Sequence, residues 1–555
     1  MNAPTCFSAR HATRRLLSTL ALAAATTASL AAPAAPSTPM PFDTSAVPAR
    51  PQASTLPARW QHGVFMEVFV RAFQDSNGDG IGDLRGLIQR LDYLQKLGVS
   101  GLWLMPITAS SDHDHGYATT DFRAIEPQYG TLEDFDTLIR EAHKRGIGIV
   151  MDYVINHASW QSAPFQAAVA DRSSPWRDWF VWNPNPGPGW DIWGKFPWYD
   201  AAQKPWDWTG EWKDLPAPTP GAPDVYFGTF GPHMPDFNMR NPVVVKYHQD
   251  SMRFWLNRGL DGFRLDAVPH LIENNAKDWN DQPESRVLTK QFQDLIKSYP
   301  GRYVVCEATA EPIAYGKPEL CGGAFAFNQN YEIIKAAKGD VAAVQKVADY
   351  YRSMSPTMAT FLHNHDIFTG HRVWDQLRGD EARYRLAAAS YLLLPGTPFV
   401  YYGEEIGQSG VDGPGDDPLR SPMSWTASNV GAGGFSTQAQ PFRPLALNRS
   451  RHNAESQQRD AQSLFHFYRS LIALRKASPA LTEGRYERDR VDGAVWSFER
   501  VHGRERVWVA INYGDTPAAV TLPAPARGLL PKGGRTQGRA MLPPLSVRVF
   551  ALEAP

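Results

Sequence analysis

Leu84-Arg-Gly-Leu87-Ile-Gln-Arg-Leu91-Asp-Tyr-Leu94-Gln-Lys-Leu97-Gly-Val-Ser-Gly101-Leu-Trp-Leu-Met105 carries two signals in one run. Its leucines recur at steps of three and four, the apolar stripe of a helix that packs on a sheet. Residues 101–105 form a short apolar run of strand length. The pairing repeats along the chain. Further strand candidates are 64–70, 147–153, 262–267, 303–307, 360–364 and 398–402, and helical patterns fall at 132–145, 243–256 and 287–297. Repeated strand–helix units imply a parallel sheet, and seven or eight of them suggest a closed α/β barrel, the (β/α)8 or TIM fold.

Two regions interrupt this alternation. Residues 158–235 hold ten of the 18 Trp, together with dense Pro and Gly. A segment of that length is functional or a small domain of its own, and core packing is the expected role for most of its Trp. Residues 478–555 read as short alternating strands, a terminal antiparallel β-sandwich. The expected layout is a signal peptide over 1–34, a flexible linker over 35–58, the barrel over 59–157 and 236–477, an insertion over 158–235 and the sandwich over 478–555.

Composition narrows the function. The chain has 555 residues, 43% of them hydrophobic, and a formal charge of −1. Such a chain buries a core, and it carries no electrostatic footprint for nucleic acid or an anionic membrane surface. A basic start (Arg10, Arg14, Arg15), an apolar stretch from Leu16 and small residues near position 31 form a secretory signal. The protein is thus expected to be exported, secreted or periplasmic, with no membrane span after signal removal. Of three cysteines, Cys6 leaves with the signal. Cys306 and Cys321 read as two buried free thiols, although an oxidising compartment permits a bond between them.

Working residues of a barrel enzyme sit at the C-terminal ends of its strands. Those ends supply Asp152, Asn156 and His157; Arg264 and Asp266; Glu307; and His363, His365 and Asp366. Arg264 and Asp266, at i and i+2, point the same way from one strand, so the arginine can hold the carboxylate ionised and oriented. Glu307 follows the apolar run Tyr303-Val-Val-Cys306, a setting that favours a protonated carboxyl. A carboxylate nucleophile beside a protonated carboxyl can hydrolyse a glycosidic bond. The histidine pairs His113/His115 and His363/His365 suit sugar binding better than zinc.

These segments resemble the signature regions of the α-amylase family, glycoside hydrolase family 13. Asp152-Tyr-Val-Ile-Asn-His157 resembles the first, Gly262-Phe-Arg-Leu-Asp266-Ala the second, Glu307 after its strand the third, and Phe361-Leu-His-Asn-His365-Asp366 the fourth. Met234-Pro-Asp-Phe-Asn238 resembles the fifth, as found in the group between oligo-1,6-glucosidases and neopullulanases, and Arg420-Ser-Pro-Met-Ser-Trp425 resembles a segment of the same branch. The resemblance implies a nucleophile at Asp266, an acid/base at Glu307 and an Asp366 that holds sugar hydroxyls. It places His115, His157, His365 and Arg420 at the sugar, Tyr117 stacked on its ring, and Asp152 and Arg264 in support. The Trp-rich insertion would be domain B, after the third strand.

Asp75-Ser-Asn77-Gly-Asp79-Gly80-Ile81-Gly-Asp83 fits calcium-loop ligand positions 1, 3, 5, 7 and 9 with Gly at 6, but Gly86 stands where an EF-hand has its bidentate Glu. A Ca²⁺ site at Asp75, Asn77, Asp79, Ile81 and Asp83 is therefore expected, outside an EF-hand. Related branches of the family carry the same loop. Ala118 stands where exo-acting α-glucosidases of the family usually carry Asp, which weakens the exo reading, and Pro269 replaces the Lys frequent in α-amylases. The expected function is a secreted, retaining α-amylase that cleaves α-1,4 bonds of starch and maltooligosaccharides as a monomer. The alternative is an exo-acting α-glucosidase or a transglucosylase such as trehalose synthase. A catalytically silent glucan-binding protein is disfavoured by the intact Asp266, Glu307 and Asp366.

Overall fold

The computed structural model describes residues 42–206 and 212–553; the signal peptide read over 1–34 lies outside them. Seven short strands form one parallel sheet. In spatial order they are Ala359–Thr360, Thr397–Tyr401, Phe65–Val68, Gly101–Leu104, Gly148–Tyr153, Gly262–Leu265 and Tyr303–Cys306. The gap between the last and the first is filled by residues 323–326. Cys306 bridges Ala324, Phe325 bridges Ala359, and both bridges are parallel. This short segment, the sixth stave in chain order, completes the set of eight and closes the (β/α)8 barrel. The sequence hid it, because Gly322-Gly-Ala-Phe-Ala326 offers no run of β-branched residues.

The interior is filled by side chains from six of the eight staves, among them Phe65, Trp103, Val150, Val305, Phe325 and Phe399. Phe65 stacks on Phe399 with ring centroids 5.0 Å apart. Two glycines make room for this packing. A Cβ on Gly101 would lie 2.4 Å from the Phe65 ring, and one on Gly148 would lie 2.3 Å from Trp60. The outer helices bury their apolar stripes, and all five leucines from Leu84 to Leu97 are inaccessible to solvent. Their helix is nevertheless two pieces, Leu84–Gln89 and Leu91–Leu97. Arg90, at the break, is drawn outward to Gln74 and over the Trp425 ring, 4.1 Å from its centroid.

Residues 42–58 hold no helix or strand, yet they are not the free tether expected from composition. Phe42 packs on Trp176, Trp179 and Tyr247. The Arg50 N–H donates to Asn257, whose amide donates to the Pro48 carbonyl, and Leu56 is buried in the barrel's inner cluster. Polar spacing in the sequence concealed those anchors.

The insertion carries a helix, Ala163–Ala170, and a two-stranded ribbon pairing Trp198–Asp200 with Val225–Phe227. Ile192, Trp198, Val225 and Phe227 make its own small core. The C-terminal part is antiparallel. A six-stranded sheet spanning Arg485–Leu552 faces a two-stranded one, Ala518–Thr521 with Arg539–Leu542, and Trp508, Leu522, Leu542 and Phe550 share a buried cluster. Cys306 and Cys321 are joined as a disulfide, contrary to the free-thiol reading. The ladder between Cys306 and Gly323–Phe325 brings the two segments together, a contact that strand-length patterning did not reveal.

Candidate active site

The carboxyl-terminal ends of the staves converge on one guanidinium. Arg264, in the fourth stave, is buried, with its Nη1 3.0 Å from Asp152 Oδ1 and also bonded to Asp266 Oδ1. Its Nη2 lies 2.9 Å from Glu307 Oε2. Asp152, Asp266 and Glu307 end the third, fourth and fifth staves, so three neighbouring strands each send one carboxyl to the same cation. The guanidinium also lies over Trp103, 5.2 Å from the ring centroid. Ala267, just past Asp266, takes a left-handed backbone (φ 51°, ψ 31°), and its N–H donates to Glu307 Oε2 at 3.1 Å. The apolar setting expected for Glu307 is absent. Its strand is apolar, but its carboxyl turns to Arg264 and to that N–H.

Three carboxyls against one guanidinium leave an excess of negative charge in a dry site. Burial pushes Asp152 up to about 6, against the pull of Arg264. Burial likewise holds Asp266 well above the usual carboxylate range, and the adjoining Glu307 and Asp152 carboxyls push the same way. The cluster therefore retains a proton under conditions where free carboxyls have lost theirs.

A second cation organises the far side. Arg420 Nη2 lies 3.4 Å from Asp366 and 2.9 Å from Asp416, Nη1 lies 3.1 Å from Asp114, and Nε donates to the His365 carbonyl. Arg443 reaches the same Asp114 at 2.8 Å. Burial raises Asp366 to about 7, with Arg420 opposing.

Between the two arginines opens a cavity of about 600 Å³. Asp266, Glu307, Asp366, His115, Tyr117, His157 and Arg420 line it, as expected. Trp193, Phe230 and Phe368 also line it, and Trp193 and Phe368 are 63% and 49% exposed. His115 is 3.1 Å from Asp112. Burial opposes charge on this ring, but the carboxylate prevails and raises its pKa. Burial, with the neighbouring His233 ring pushing the same way, takes His157 down to about 3.

Asp152, Arg264 and His365 stand behind the cavity wall. For His365 this departs from the expected sugar contact. Its Nδ1 meets Glu67 at 2.6 Å, and its Nε2 meets Tyr117 Oη at 2.9 Å. Ala118, which weighed against exo action, is fully buried and is not part of the cavity lining. Sequence reasoning missed Glu67, Asp114 and Asp416. Glu67 was detectable in principle, as the lone acid in the apolar run of the first stave.

The loop expected to hold calcium winds through successive Asx turns. Asp75 accepts from Asn77 N–H, Asn77 from Asp79 N–H, and Asp79 from Ile81 N–H. Both Asp75 oxygens are fully engaged, Oδ1 by Asn77 and Gly78, Oδ2 by Gly80 and Ser436. Asp83 accepts from Ser76 and Gly86 and caps the next helix. The winding suits a cation, but the side-chain oxygens, as placed, do not converge on one. Among the described residues no group of three or more His, Cys, Asp or Glu is positioned to hold a metal ion.

A barrel whose mouth gathers carboxyls around a sugar-sized cavity has the build of a glycoside-processing enzyme. The chain belongs to the α-amylase family: residues 67–484 match the model of the alpha amylase catalytic domain. Members of that family hydrolyse or transfer α-glucosides, and this chain is an enzyme of that class. It is 34% identical over 489 residues to trehalose synthase/amylase TreS of Mycolicibacterium smegmatis, covering 78% of this chain and 79% of that one. It is 32% identical over 472 residues to alpha-amylase 3 of Dictyoglomus thermophilum, covering 82% and 85%. The structure of an alpha-glucosyl transfer enzyme, XgtA, superposes with a TM-score of 0.77 at 28% identity, covering 90% of this chain and all of that one.

The Arg264 cluster makes a pH-resolved prediction. Asp152 and Asp266 hold protons in the fold at pH values where the unfolded chain, with carboxyl pKa near 4, has released them. Their burial therefore costs stability as pH rises through that interval. Without Arg264 the carboxyls lose their countercharge and the cost grows. Arg264→Gln should lose about 3–5 kcal/mol of unfolding free energy at pH 8, and clearly less at pH 5, where the carboxyls take up protons instead. Denaturant melts at the two pH values measure this, and an equal loss at both would contradict the account.

Proposed function

We propose that the protein is a retaining, exo-acting α-glucosidase or glucosyl-transferring enzyme, which takes the terminal glucosyl unit of a short α-glucoside and passes it to water or to a second sugar. The starch-cleaving α-amylase favoured from sequence gives way to its stated alternative. The observation that carries this choice is the Arg420 cluster. Beyond Asp366 the cavity meets Arg420 tied to Asp114 and Asp416, with Arg443 pairing with Asp114 and Asp417. A charged, cross-linked wall at that end suits the hydroxyls of one terminal sugar and blocks a continuing chain. The resemblance to trehalose synthase/amylase and to an alpha-glucosyl transfer enzyme supports the same choice.

Roles follow from position. Asp266 and Glu307 grip neighbouring nitrogens of one guanidinium, which sets their carboxyls side by side. That closeness suits the retaining arrangement, with carboxyls roughly 5 Å apart, better than an inverting one with room for a water between them. Glu307 gives its proton to the glycosidic oxygen as the bond to C1 breaks, and an Asp266 oxygen bonds to C1. Glu307 then takes a proton from the incoming hydroxyl, whose oxygen displaces Asp266 from C1. Two inversions leave the α-configuration. Asp366 would hold hydroxyls of the bound sugar, Tyr117 would stack on its ring, and His115, His157 and Arg420 would complete the pocket. Trp193 and Phe368 offer stacking faces to the leaving or accepting group. The amino-terminal signal motif supports export.

The wall is tested with maltooligosaccharides that are free or blocked at the non-reducing end. Free substrates should release α-glucose or a glucosyl-transfer product, and blocked ones should remain uncut. Cleavage of both at similar rates would restore the endo-acting α-amylase.

Calcium at residues 75–83 is a separate proposal, resting on the ligand spacing and the Asx winding, and it enters no step above. Elemental analysis of the purified protein tests it. About one calcium per chain, stripped by chelator with a fall in melting temperature, supports it, and a calcium-free protein ends it.

A further inference from the structure

Glu67 lies in the first stave, with its side chain fully buried among the working residues. No step of the proposed reaction uses it. Its Oε1 sits 2.6 Å from Nδ1 of His365, at the end of the seventh stave. The other ring nitrogen, Nε2, faces two oxygens, Tyr117 Oη at 2.9 Å and Asp366 Oδ2 at 3.2 Å.

Counting protons assigns the tautomer. Tyr117 has one O–H, and Asp152 Oδ2, 2.9 Å away, takes it. Asp152 behaves as an acceptor throughout, for it also takes the Trp103 Nε1–H and an Arg264 N–H. At the 2.9 Å contact with His365 the Tyr117 oxygen must therefore accept. Nε2 carries hydrogen. In a neutral imidazole Nδ1 is then a bare lone pair, and an oxygen 2.6 Å from it must bring a proton of its own.

We propose that Glu67 is a positioning residue that stays protonated, donates to Nδ1 of His365, and so fixes the ring with Nε2–H aimed at Tyr117 and Asp366. The surroundings favour this neutral pair over a glutamate–imidazolium pair. Burial raises Glu67 well above its ordinary value, and the facing carboxylates of Asp366 and Asp152 add to that against the pull of Arg264. Burial holds His365 well below its ordinary value, and the facing cations Arg420, Arg264 and His115 do the same. Tyr401 also faces Glu67 and is kept in its phenol form by burial, while the Trp103 ring packs edge-on against His365, 5.7 Å between centroids. The consequence is functional. A ring turned or tautomerised the other way would set a lone pair against the Asp366 carboxylate and the Tyr117 oxygen, and displace both from the sugar pocket. The link from ring to sugar rests on the reading of Tyr117 and Asp366 given above, but the location of the proton does not.

Two measurements separate the claims. Long-range ¹H–¹⁵N spectra of histidine-labelled full-length protein, assigned with His365→Asn, should show His365 as the neutral Nε2–H tautomer from pH 6 to 8, without any substrate. An Nδ1–H tautomer or an imidazolium would overturn the proposal, whatever the enzyme acts upon. Turnover of the best α-glucoside should fall at most about threefold in Glu67→Gln, whose amide N–H can still donate to Nδ1. It should fall about 100-fold, mainly in kcat, in Glu67→Leu, which cannot donate. In a His365→Asn background the two variants should differ little. If the leucine variant does not fold, Glu67→Asp, one carbon too short, replaces it and should keep less than a tenth of the activity. Gln and Leu variants equally impaired, or a Leu variant as active as the parent, would also overturn it.

Discussion

Everything at the barrel mouth depends on the Arg264 guanidinium and the three carboxyls around it. A buried ion pair stabilises little on balance, because desolvation offsets attraction, and stripping one partner away is what costs most. Here one cation holds three acids, so no carboxyl can be moved without disturbing the others. The geometry follows from the staves. Asp152, Arg264 with Asp266, and Glu307 end consecutive parallel strands, and the barrel brings those ends together. The excess negative charge then keeps a proton in the cluster, which an acid/base pair needs. The sequence placed that proton on Glu307 through an apolar setting. The structure instead leaves it to a shared, crowded set in which Glu307 is itself hydrogen-bonded and paired.

The same arrangement repeats on the other side of the cavity. Arg420 ties Asp366, Asp416 and Asp114, which come from three separate segments, into a wall. Between the two charged walls the remaining lining is largely aromatic, and part of it comes from the Trp-rich insertion. A sugar held between charge at one end and exposed aromatic faces at the other is oriented by both, and the proposed specificity for a terminal glucosyl unit rests on that asymmetry.

Much of this was legible in the sequence because the signals were local. The leucine stripe ahead of residues 101–105 pointed to the parallel barrel, the charges closing successive apolar runs pointed to most of the residues gathered at its mouth, and the roles proposed for them rest on the family resemblance. What escaped was nonlocal. The sixth stave is a glycine- and alanine-rich segment that becomes a strand only by pairing with Cys306 and Ala359. The Cys306–Cys321 bond depends on that same pairing. Residues 42–58 look like a linker until Phe42 and Leu56 find their pockets. Asp114 reads as a loop residue until Arg420, some three hundred positions away, turns toward it.

The central claim is that Asp266, held on Arg264 beside Glu307, forms a covalent bond to the sugar. Incubation with a fluorinated α-glucosyl fluoride, whose electron-poor sugar slows release from the enzyme, followed by peptide mass spectrometry, tests it most directly. The account predicts one fluoroglucosyl adduct, on the peptide containing Asp266 and located on that residue, with activity lost in step with labelling. Full consumption of the fluoride with no adduct, or an adduct on Glu307 or Asp366 instead, would contradict it.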